Sequence, residues 1–394
     1  MKKYLILFLI LGLDVLFLFY ETSQLSISYA ELTLLKGEFS PLQFIEKLSF
    51  LLFGQNDFAL RVPMIILHFL SALLLFNLSK RYLKYDRDRL WLIVVFILLP
   101  GVLSSSLVVN SAGLVIFSLL LYLNFYDKNT YLKYLLLLPL WLVDPSMEIL
   151  FLALTIYALT RKEYLFAAVN IVLFFTSLFY FGFDTDGLPK GHFLDTLAIY
   201  SAIFTPIVFV YLFYILYRRF IIKRTDVLWY IASTALLLSL FLSFRQRLHL
   251  EEFAPFILIA LPLAGQTFYH SYRVRLKEFR STYRIIFSLS IAFLALNAMV
   301  VFFNKYLYHF VKKPSEHFAY EMNIASELAD NLKAKHFTCI DADNEKLQAR
   351  LDFYGIGYCK GYRLTRQRFE NSKNVSISYN GVLVYRVYVT NINK

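Results

Sequence analysis

Long uncharged apolar segments constrain the fold of this chain more than any other feature of its sequence. A helix needs roughly twenty consecutive apolar residues to cross the hydrocarbon core of a bilayer. Eleven apolar segments occur, near residues 4–20, 60–79, 90–109, 112–126, 134–144, 146–159, 164–183, 196–217, 227–244, 253–270 and 285–303. The sequence therefore predicts a mainly α polytopic membrane protein with about eleven transmembrane helices across residues 1–303.

The composition agrees with a chain whose main partner is the lipid bilayer. Of the 394 residues, 58% are hydrophobic and 17% are charged, whereas a soluble domain is about half apolar and about a quarter charged. The formal net charge of +12 does not indicate a nucleic-acid partner, because the basic residues lie in short clusters between the apolar segments. We interpret these clusters as signals of the side of the membrane on which each loop lies.

Lysine and arginine residues predict the orientation, because loops on the cytoplasmic side of a membrane carry an excess of them. If the N-terminus is cytoplasmic, the cytoplasmic pieces hold twenty basic residues and the outer loops hold six. The six outer residues are Lys36, Lys47, Arg61, Lys190, Arg245 and Arg247. This bias predicts a cytoplasmic N-terminus and a C-terminus on the opposite side of the membrane.

The segment 134–159 permits two interpretations. It is either one long tilted helix or two short helices broken at Asp144 and Pro145. Basic residues flank the segment on both sides, which favours a hairpin with both ends in the cytoplasm. Short broken helices are tolerated in a membrane only where protein or a water-filled cavity surrounds them. We therefore predict a polar cavity on the outer side.

The longest outer loop, residues 21–58, is predicted to lie along the membrane surface. Two stretches in it, LSISYAELTLL and PLQFIEKLSFLLF, have apolar residues at helical spacing and a thin polar face. The acidic residues of this loop are Glu21, Glu31, Glu38, Glu46 and Asp57. A later outer loop, 245–252, instead carries Arg245, Arg247 and His249. We expect a cavity between the two loops, with an acidic wall and a basic wall.

The stretch LFGQNDFALRVP is predicted to join two helices. Asn56 or Asp57 fits the cap of the second helix, and Pro63 fits its first turn. Arg61 is expected at headgroup depth, where its guanidinium reaches outer carboxylates or a lipid phosphate. The alternative is an arginine that only extends its side chain to the membrane surface.

The same stretch carries a family resemblance. Together with Gly-Glu-Phe-Ser-Pro-Leu at 37–42, the pattern Leu-Phe-Gly-x-x-x-Phe-Ala-x-Arg-Val-Pro at 52–63 resembles the GT-C glycosyltransferases. These are the dolichyl-phosphate-mannose-protein mannosyltransferase-like group, which includes bacterial lipid A aminoarabinose transferase. The stretch RLHLEEFAP at 247–255 is similar to a late Arg-Tyr-x-x-x-x-x-Pro element of that family. The resemblance implies a bacterial inner-membrane enzyme that transfers a sugar from a polyprenyl-phosphate donor to an envelope acceptor on the outer face.

The family's inverting mechanism implies roles for the outer polar residues, since a carboxylate deprotonates the acceptor and basic groups or a metal stabilise the departing phosphate. The candidate bases are Glu21 and Glu31, and Glu38 is a candidate sugar or metal contact. The candidate phosphate-binding residues are Arg61, Arg245, Arg247 and His249. For each glutamate the alternative is a solvated interfacial residue. The resemblance implies no certain cofactor and leaves a divalent metal ion open.

Two other functions stay open. The family's Asp-Glu pair aligns with Tyr20 and Glu21, or alternatively with Leu25 and Ser26, so its aspartate is absent. This favours a non-catalytic protein of the same fold that binds lipid-linked glycan or scaffolds envelope enzymes. A transporter is the weaker alternative, because no internal repeat accompanies Asp14 in the first apolar segment. The sequence does not indicate an oligomeric state.

Residues 304–394 are predicted to form a small periplasmic α/β domain. Helical spacing covers 315–335 and 344–354, and strand-like segments cover 336–340, 357–362, 375–379 and 382–389. Asn380 and Gly381 are a strong hairpin signal between the last two segments. Cys339 and Cys359 lie on neighbouring predicted strands, so we expect a disulfide in an oxidising compartment.

Overall fold

The computed structural model describes residues 2–37, 39–182, 190–369 and 372–391, and most of these residues are helical. The helices are α1 (Lys2–Thr22), α2 (Tyr29–Lys36), α3 (Pro41–Phe53), α4 (Asp57–Leu78), α5 (Asp86–Leu98), α6 (Pro100–Leu107), α7 (Ser111–Phe125), α8 (Thr130–Leu135), α9 (Leu137–Val143), α10 (Met147–Thr160), α11 (Tyr164–Phe181), α12 (Phe193–Phe204), α13 (Pro206–Ile221), α14 (Val227–Leu242), α15 (Leu250–Leu258), α16 (Leu261–Val274), α17 (Arg280–Phe302), α18 (Ala325–Ala334) and α19 (Glu345–Phe353). The last two belong to the C-terminal domain.

The apolar helices confirm a mainly α polytopic membrane fold. Among the described residues, four helices are long and apolar enough to cross a bilayer: α1, Asp57–Arg81, α11 and Lys277–Phe302. The pairs α5 with α6, α12 with α13 and α15 with α16 pass the same test together, with bends of 62°, 108° and 44°. Shorter apolar helices are α7, Thr130–Val143, α10 and α14. Each apolar segment of the sequence is thus mainly helical where it is described, with breaks inside the bent pairs, and the eleven-span count stays a prediction.

Asp14, the carboxyl in the middle of α1, faces the protein interior. Its Oδ2 lies 2.8 Å from Nε2 of His68 on α4, and both side chains are buried. The His68 ring is stacked on Phe96 of α5. A carboxyl in a membrane is costly unless it meets a partner, and the contact with His68 provides one.

The start of α4 differs from the sequence prediction at Pro63. Asn56 is the cap, because its side-chain oxygen accepts from the Ala59 N–H at 2.7 Å, and the helix begins at Asp57. Pro63 therefore lies in the second turn, where its missing N–H deprives the Ala59 carbonyl of a helical partner. The Ser49 hydroxyl on α3 donates to that carbonyl at 2.5 Å. A tertiary hydrogen bond thus accommodates the proline.

Helix α3 turns its polar side towards the protein. Gln43, Glu46 and Ser49 recur at a spacing of three residues and are buried. The large apolar side chains that it exposes are Phe44, Leu48, Leu51, Leu52 and Phe53. An outward apolar face is typical of a helix that lies in a membrane surface, as the sequence predicts for this loop.

The C-terminal domain contains a four-stranded sheet. Its strands are β1 (Asp341–Ala342), β2 (Tyr362–Thr365), β3 (Lys373–Tyr379) and β4 (Val382–Asn391), in the order β1-β2-β4-β3. Strands β1 and β2 are parallel and are connected through α19, whereas β3 and β4 are antiparallel. Asn380 and Gly381 have φ angles of 48° and 85°, as the predicted tight hairpin requires.

Several predicted elements of this domain are displaced along the chain. Helix α18 starts at Ala325, whereas the sequence predicts a start at residue 315. The reason is His317, whose ring forms two hydrogen bonds outside a helical pattern. Its Nε2 lies 3.0 Å from the Asn304 carbonyl oxygen, and its Nδ1 accepts from the Ala319 N–H at 3.1 Å. These bonds compete with a regular helical turn. The strands predicted at 336–340 and 357–362 are shifted to β1 and β2.

A disulfide joins Cys339 and Cys359, whose Cα atoms are 5.4 Å apart. The two cysteines are 20 residues apart in the sequence, and α19 lies between them. Cys339 also forms an isolated parallel bridge with Gly357. The chain on both sides of α19 is therefore held together.

Candidate functional site

A cavity of about 610 Å³ lies among α6, the start of α7, α12 and the segment 247–258. This volume is within the usual range for small-molecule sites, roughly 300 to 1,000 Å³. Most of the lining is apolar, including Val102, Ile199 and Phe204. The larger polar side chains in the lining are Asn110, Arg247, His249 and Glu251. This arrangement suits an amphiphilic ligand.

Two glycines allow the walls of this cavity to approach each other. A Cβ atom added at Gly101 on α6 would lie 2.5 Å from Cγ2 of Ile203 on α12. A Cβ atom added at Gly113 on α7 would lie 3.2 Å from the carbonyl oxygen of Ser105 on α6. The glycines therefore bring α6 close to α12 and α7, and a larger residue at Gly101 would push two walls apart.

Arg247 is the residue in the cavity lining that is best placed to bind an anion. It is exposed and forms no ion pair with any other residue that the structure describes. His249 Nδ1 lies 4.0 Å from Glu251 Oε1. The Asn110 side chain is already engaged, because its Oδ1 accepts from the Gly113 N–H at 3.3 Å and caps α7. Among the described residues of the lining, Arg247 is the permanently charged side chain without an ion-pair partner.

Arg61 lies behind the cavity wall in a buried ionic cluster. Its side chain is fully buried within the protein. Its depth in the membrane stays a prediction. The guanidinium donates to the carbonyls of Leu107 at 2.8 Å and Ser26 at 3.0 Å. It lies 3.6 Å from Glu31 Oε2 and 3.5 Å from Asp57 Oδ1. The guanidinium thus reaches outer-loop carboxylates and is enclosed by protein on all sides.

Glu31 is equally enclosed. Its Oε2 accepts from the Ser28 N–H at 2.7 Å, and its Oε1 accepts from the Val109 N–H at 3.0 Å. The Ser28 hydroxyl accepts from the Glu31 N–H in return, which completes a capping box at the start of α2. A general base needs an oxygen within hydrogen-bond reach of the proton that it removes. Both oxygens of Glu31 are instead occupied within the protein.

Glu46 is a buried acid that sequence reasoning did not select as a site residue. It lies on α3, outside the spanning helices, and neither of its carboxyl oxygens has a hydrogen-bond partner among the described residues. Burial raises the pKa of Glu46 to about 8, with a further contribution from Glu31 that Arg61 opposes. The carboxyl group is therefore largely protonated at neutral pH. The available sequence signal was the three-residue polar spacing on an otherwise apolar helix.

Glu21 lies at a different place, at the end of α1. The Asn304 side chain donates to its Oε1, and its Oε2 has no hydrogen-bond partner in the described part of the chain. Glu21 lines a second cavity of about 310 Å³ between α1, the end of α17 and the C-terminal domain. Lys305 and Glu327 also line it and form an ion pair at 3.0 Å. Glu21 and Arg247 therefore line separate cavities.

Two candidate site residues remain, Glu38 and Arg245, and Arg245 does not line the larger cavity. Glu38 lies outside the described residues. Arg245 is exposed, and its carbonyl oxygen accepts from the Lys190 N–H at 3.1 Å. The expectation of an acidic wall from the first loop is thus wrong within the described residues, because α6 and the turn 107–110 lie between that loop and the cavity.

A divalent metal ion does not fit the described residues. No group of three or more His, Cys, Asp or Glu side chains among them is arranged to hold one. The carboxylates of Glu31 and Asp57 face Arg61 instead. We therefore derive no step through a metal ion.

Comparisons with known proteins concern the fold. No protein-family model and no curated protein matches the chain. The crystal structure of ArnT from Cupriavidus metallidurans in the apo state is similar, with a TM-score of 0.59 at 13% identity over 98% of each chain. The structure of the same protein bound to undecaprenyl phosphate has a TM-score of 0.56 at 11% identity, again over 98% of each chain. The chain therefore has the polytopic membrane fold of ArnT, which is the GT-C fold that the sequence resemblance predicted.

Proposed function

We propose that this protein is a membrane glycosyltransferase that binds a polyprenyl-phosphate-linked sugar in the cavity of about 610 Å³. It transfers the sugar to an envelope glycan, lipid or protein acceptor. The observation that carries this proposal is the combination of apolar walls, which suit a lipid chain, with an arginine that forms no ion pair among the described residues, which suits a phosphate. The shared fold adds support, since one of the similar ArnT structures is bound to undecaprenyl phosphate.

The proposed location is the bacterial inner membrane, with the N-terminus in the cytoplasm and residues 304–394 in the periplasm. The bias of basic residues towards one side supports this orientation. The donor then binds from the outer leaflet, where its phosphate lies at the level of Arg247 and its prenyl chain extends along the apolar wall.

In the proposed reaction, the acceptor oxygen attacks the anomeric carbon of the sugar while the bond from that carbon to the phosphate oxygen breaks. Polyprenyl phosphate leaves, and the Arg247 guanidinium stabilises its charge with His249 nearby. The acceptor proton passes to a carboxylate, and Glu251 is the carboxylate that lines this cavity among the described residues. Glu251 then releases the proton to water.

Replacement of Arg247 tests the binding half of this proposal. We expect Arg247→Ala to weaken binding of undecaprenyl phosphate to the purified protein about tenfold or more, because a hydrogen bond to a charged group contributes about 1.5–3 kcal/mol. Native mass spectrometry in detergent measures the affinity. Arg245→Ala is the matched control, since it removes the same charge two residues away and outside the described cavity lining. Equal losses in both variants, or a loss in neither, would contradict the proposed site.

A non-catalytic protein that binds a lipid-linked glycan is the second candidate. It is favoured by the enclosure of Glu31 and by the position of Glu21 in a separate cavity. Transfer of a labelled sugar by wild type and by Glu251→Gln separates the candidates. If the protein is an enzyme, we expect Glu251→Gln to bind the donor as wild type does and to transfer the sugar about 10²- to 10⁴-fold more slowly. Donor binding by wild type without transfer to any envelope acceptor would support the non-catalytic protein.

A further inference from the structure

The C-terminal domain inserts one tyrosine into the first loop of the membrane part. Tyr354, directly after α19, donates its hydroxyl hydrogen to Asp57 Oδ1 at 2.6 Å and accepts from the Ile27 N–H at 2.8 Å. Next to it, the Gln55 side chain donates to the Phe353 carbonyl at 3.0 Å. The end of α19 is therefore attached both to the segment before α2 and to the start of α4.

The contact made by Tyr354 continues through the buried ionic cluster. Asp57 lies 3.5 Å from the Arg61 guanidinium, which also lies 3.6 Å from Glu31. Arg61 donates to the Leu107 carbonyl at 2.8 Å, and Glu31 accepts from the Val109 N–H at 3.0 Å. A continuous series of bonds thus runs from the C-terminal domain to the turn 107–110.

That turn forms part of the larger cavity. It follows α6, which lines the cavity between Gly101 and Ser105, and it ends at Asn110, which lines the cavity and caps α7. Its backbone is held by Arg61 on one side of Val108 and by Glu31 on the other. Small movements of this turn therefore change the positions of both α6 and the start of α7 around a ligand.

We propose that Tyr354 is a positioning residue through which the C-terminal domain holds the turn 107–110 in its ligand-binding conformation. Asp57, Arg61 and Glu31 are the intermediate residues. The ligand in this inference is the lipid phosphate of the proposed function, on which the inference rests. Tyr354 itself does not line the cavity as it is described.

The network is sensitive to the loss of any one member. Arg61 and Glu31 are fully buried, and a buried charge that loses its partner is strongly destabilised, so the intact cluster is favoured over a partly broken one. The Tyr354 hydroxyl is the contribution of the C-terminal domain to this cluster. Burial raises the pKa of Tyr354, and the nearby Asp57 adds to the effect, so the hydroxyl remains a donor at physiological pH.

Tyr354→Phe removes the hydroxyl and keeps the ring. We expect the Val109 amide to exchange with deuterium roughly tenfold faster in this variant, since about 1–1.5 kcal/mol of hydrogen-bond stabilisation is lost. Undecaprenyl phosphate should bind roughly five- to tenfold more weakly for the same reason. The control is Tyr358→Phe, which alters an exposed tyrosine four residues further on and should change neither quantity. A merely local role of Tyr354 would leave exchange at 107–110 unchanged.

The two measurements separate failure of this inference from failure of the proposed function. If wild type does not bind undecaprenyl phosphate, the proposed function is wrong, while faster exchange at Val109 in Tyr354→Phe still supports the coupling. If wild type binds and the variant matches it in both affinity and exchange, the coupling is wrong. Asp57→Asn provides a second test, because it preserves the size of the side chain and should reproduce the faster exchange at Val109.

Discussion

At the scale of single residues, buried charge is concentrated where the first loop meets α4. Arg61 faces Glu31 and Asp57, and Glu46 lies nearby without a hydrogen-bond partner among the described residues. One arginine does not compensate the two buried carboxylates and the half-buried Asp57, so at least one of the three is expected to keep its proton. Glu46 is that residue, because burial raises its pKa to about 8.

The protonation of Glu46 predicts a pH dependence of stability. Folded Glu46 keeps its proton up to about pH 8, whereas the unfolded carboxyl loses it near the ordinary value of 4.5. The folded state therefore binds more protons between these values, and the free energy of unfolding falls as the pH rises, by up to about 1.4 kcal/mol per pH unit. We expect Glu46→Gln to remove the contribution of Glu46 to this slope, so that the slope is shallower than in wild type and the variant is more stable than wild type at pH 8.

Thermal unfolding in detergent at pH 5, 6.5 and 8 measures this effect. Glu345→Gln, which alters an exposed glutamate at the start of α19, is the control and should keep the slope of wild type. A slope that persists unchanged in Glu46→Gln would show that another group titrates in this window.

At the scale of elements, the short helices α3 and α6 determine where the candidate site lies. Helix α6 begins at Pro100, is bent by 62° from α5 and forms one wall of the cavity. Helix α3 packs against α4, and its Ser49 donates to the carbonyl that Pro63 leaves without a helical partner. A proline inside α4 thus depends on a neighbouring helix.

The bond between Ser49 and Ala59 predicts a suppressor pair. Ser49→Ala leaves the Ala59 carbonyl unsatisfied and should destabilise the protein by about 1–3 kcal/mol. Pro63→Ala restores an N–H to this turn, so the double variant should be more stable than Ser49→Ala alone. Thermal unfolding measures the stability of the two single variants and of the double variant. The key comparison is the loss caused by Ser49→Ala in the wild-type background against its loss in the Pro63→Ala background. Additive losses would mean that the Ser49 bond does not compensate for the proline.

At the scale of the whole molecule, the orientation in the membrane determines whether the disulfide lies in an oxidising compartment. We expect the C-terminal domain on the outer, oxidising side, where the disulfide between Cys339 and Cys359 is stable. Alkylation of the native protein without reductant should therefore label neither cysteine, and reductant should lower the free energy of unfolding by about 3 kcal/mol.

Fusion of a reporter after Lys394 tests the orientation independently. A periplasmic reporter should be active and a cytoplasmic one inactive, because an odd number of spans separates the termini in the predicted topology. Activity of the cytoplasmic reporter, together with two free thiols, would reverse the orientation and favour a single span for 134–159.

Much of the fold follows from local patterns in the sequence. Apolar runs of membrane-spanning length predict the helical bundle. Asn380 with Gly381 predicts the hairpin of β3 and β4. Both signals lie within one continuous stretch of the sequence. The resemblance around Arg61 predicts the GT-C fold that the ArnT structures share. His317 shows the limit of such patterns, because its bond to the Asn304 carbonyl shortens a helix that spacing alone predicts.

The candidate site depends on contacts between distant parts of the chain. The sequence is sufficient to predict Arg247 in an outer loop and Glu31 as a candidate base. It does not predict that α6 lies between these two residues. Packing of α6 against α12 at Gly101 separates these residues, and the Val109 N–H occupies the carboxylate of Glu31. Hydrophobic periodicity specifies which residues share one face of a helix. The partner of a buried polar group is specified only when separate helices meet, because a hydrogen bond depends on distances of a few tenths of an ångström.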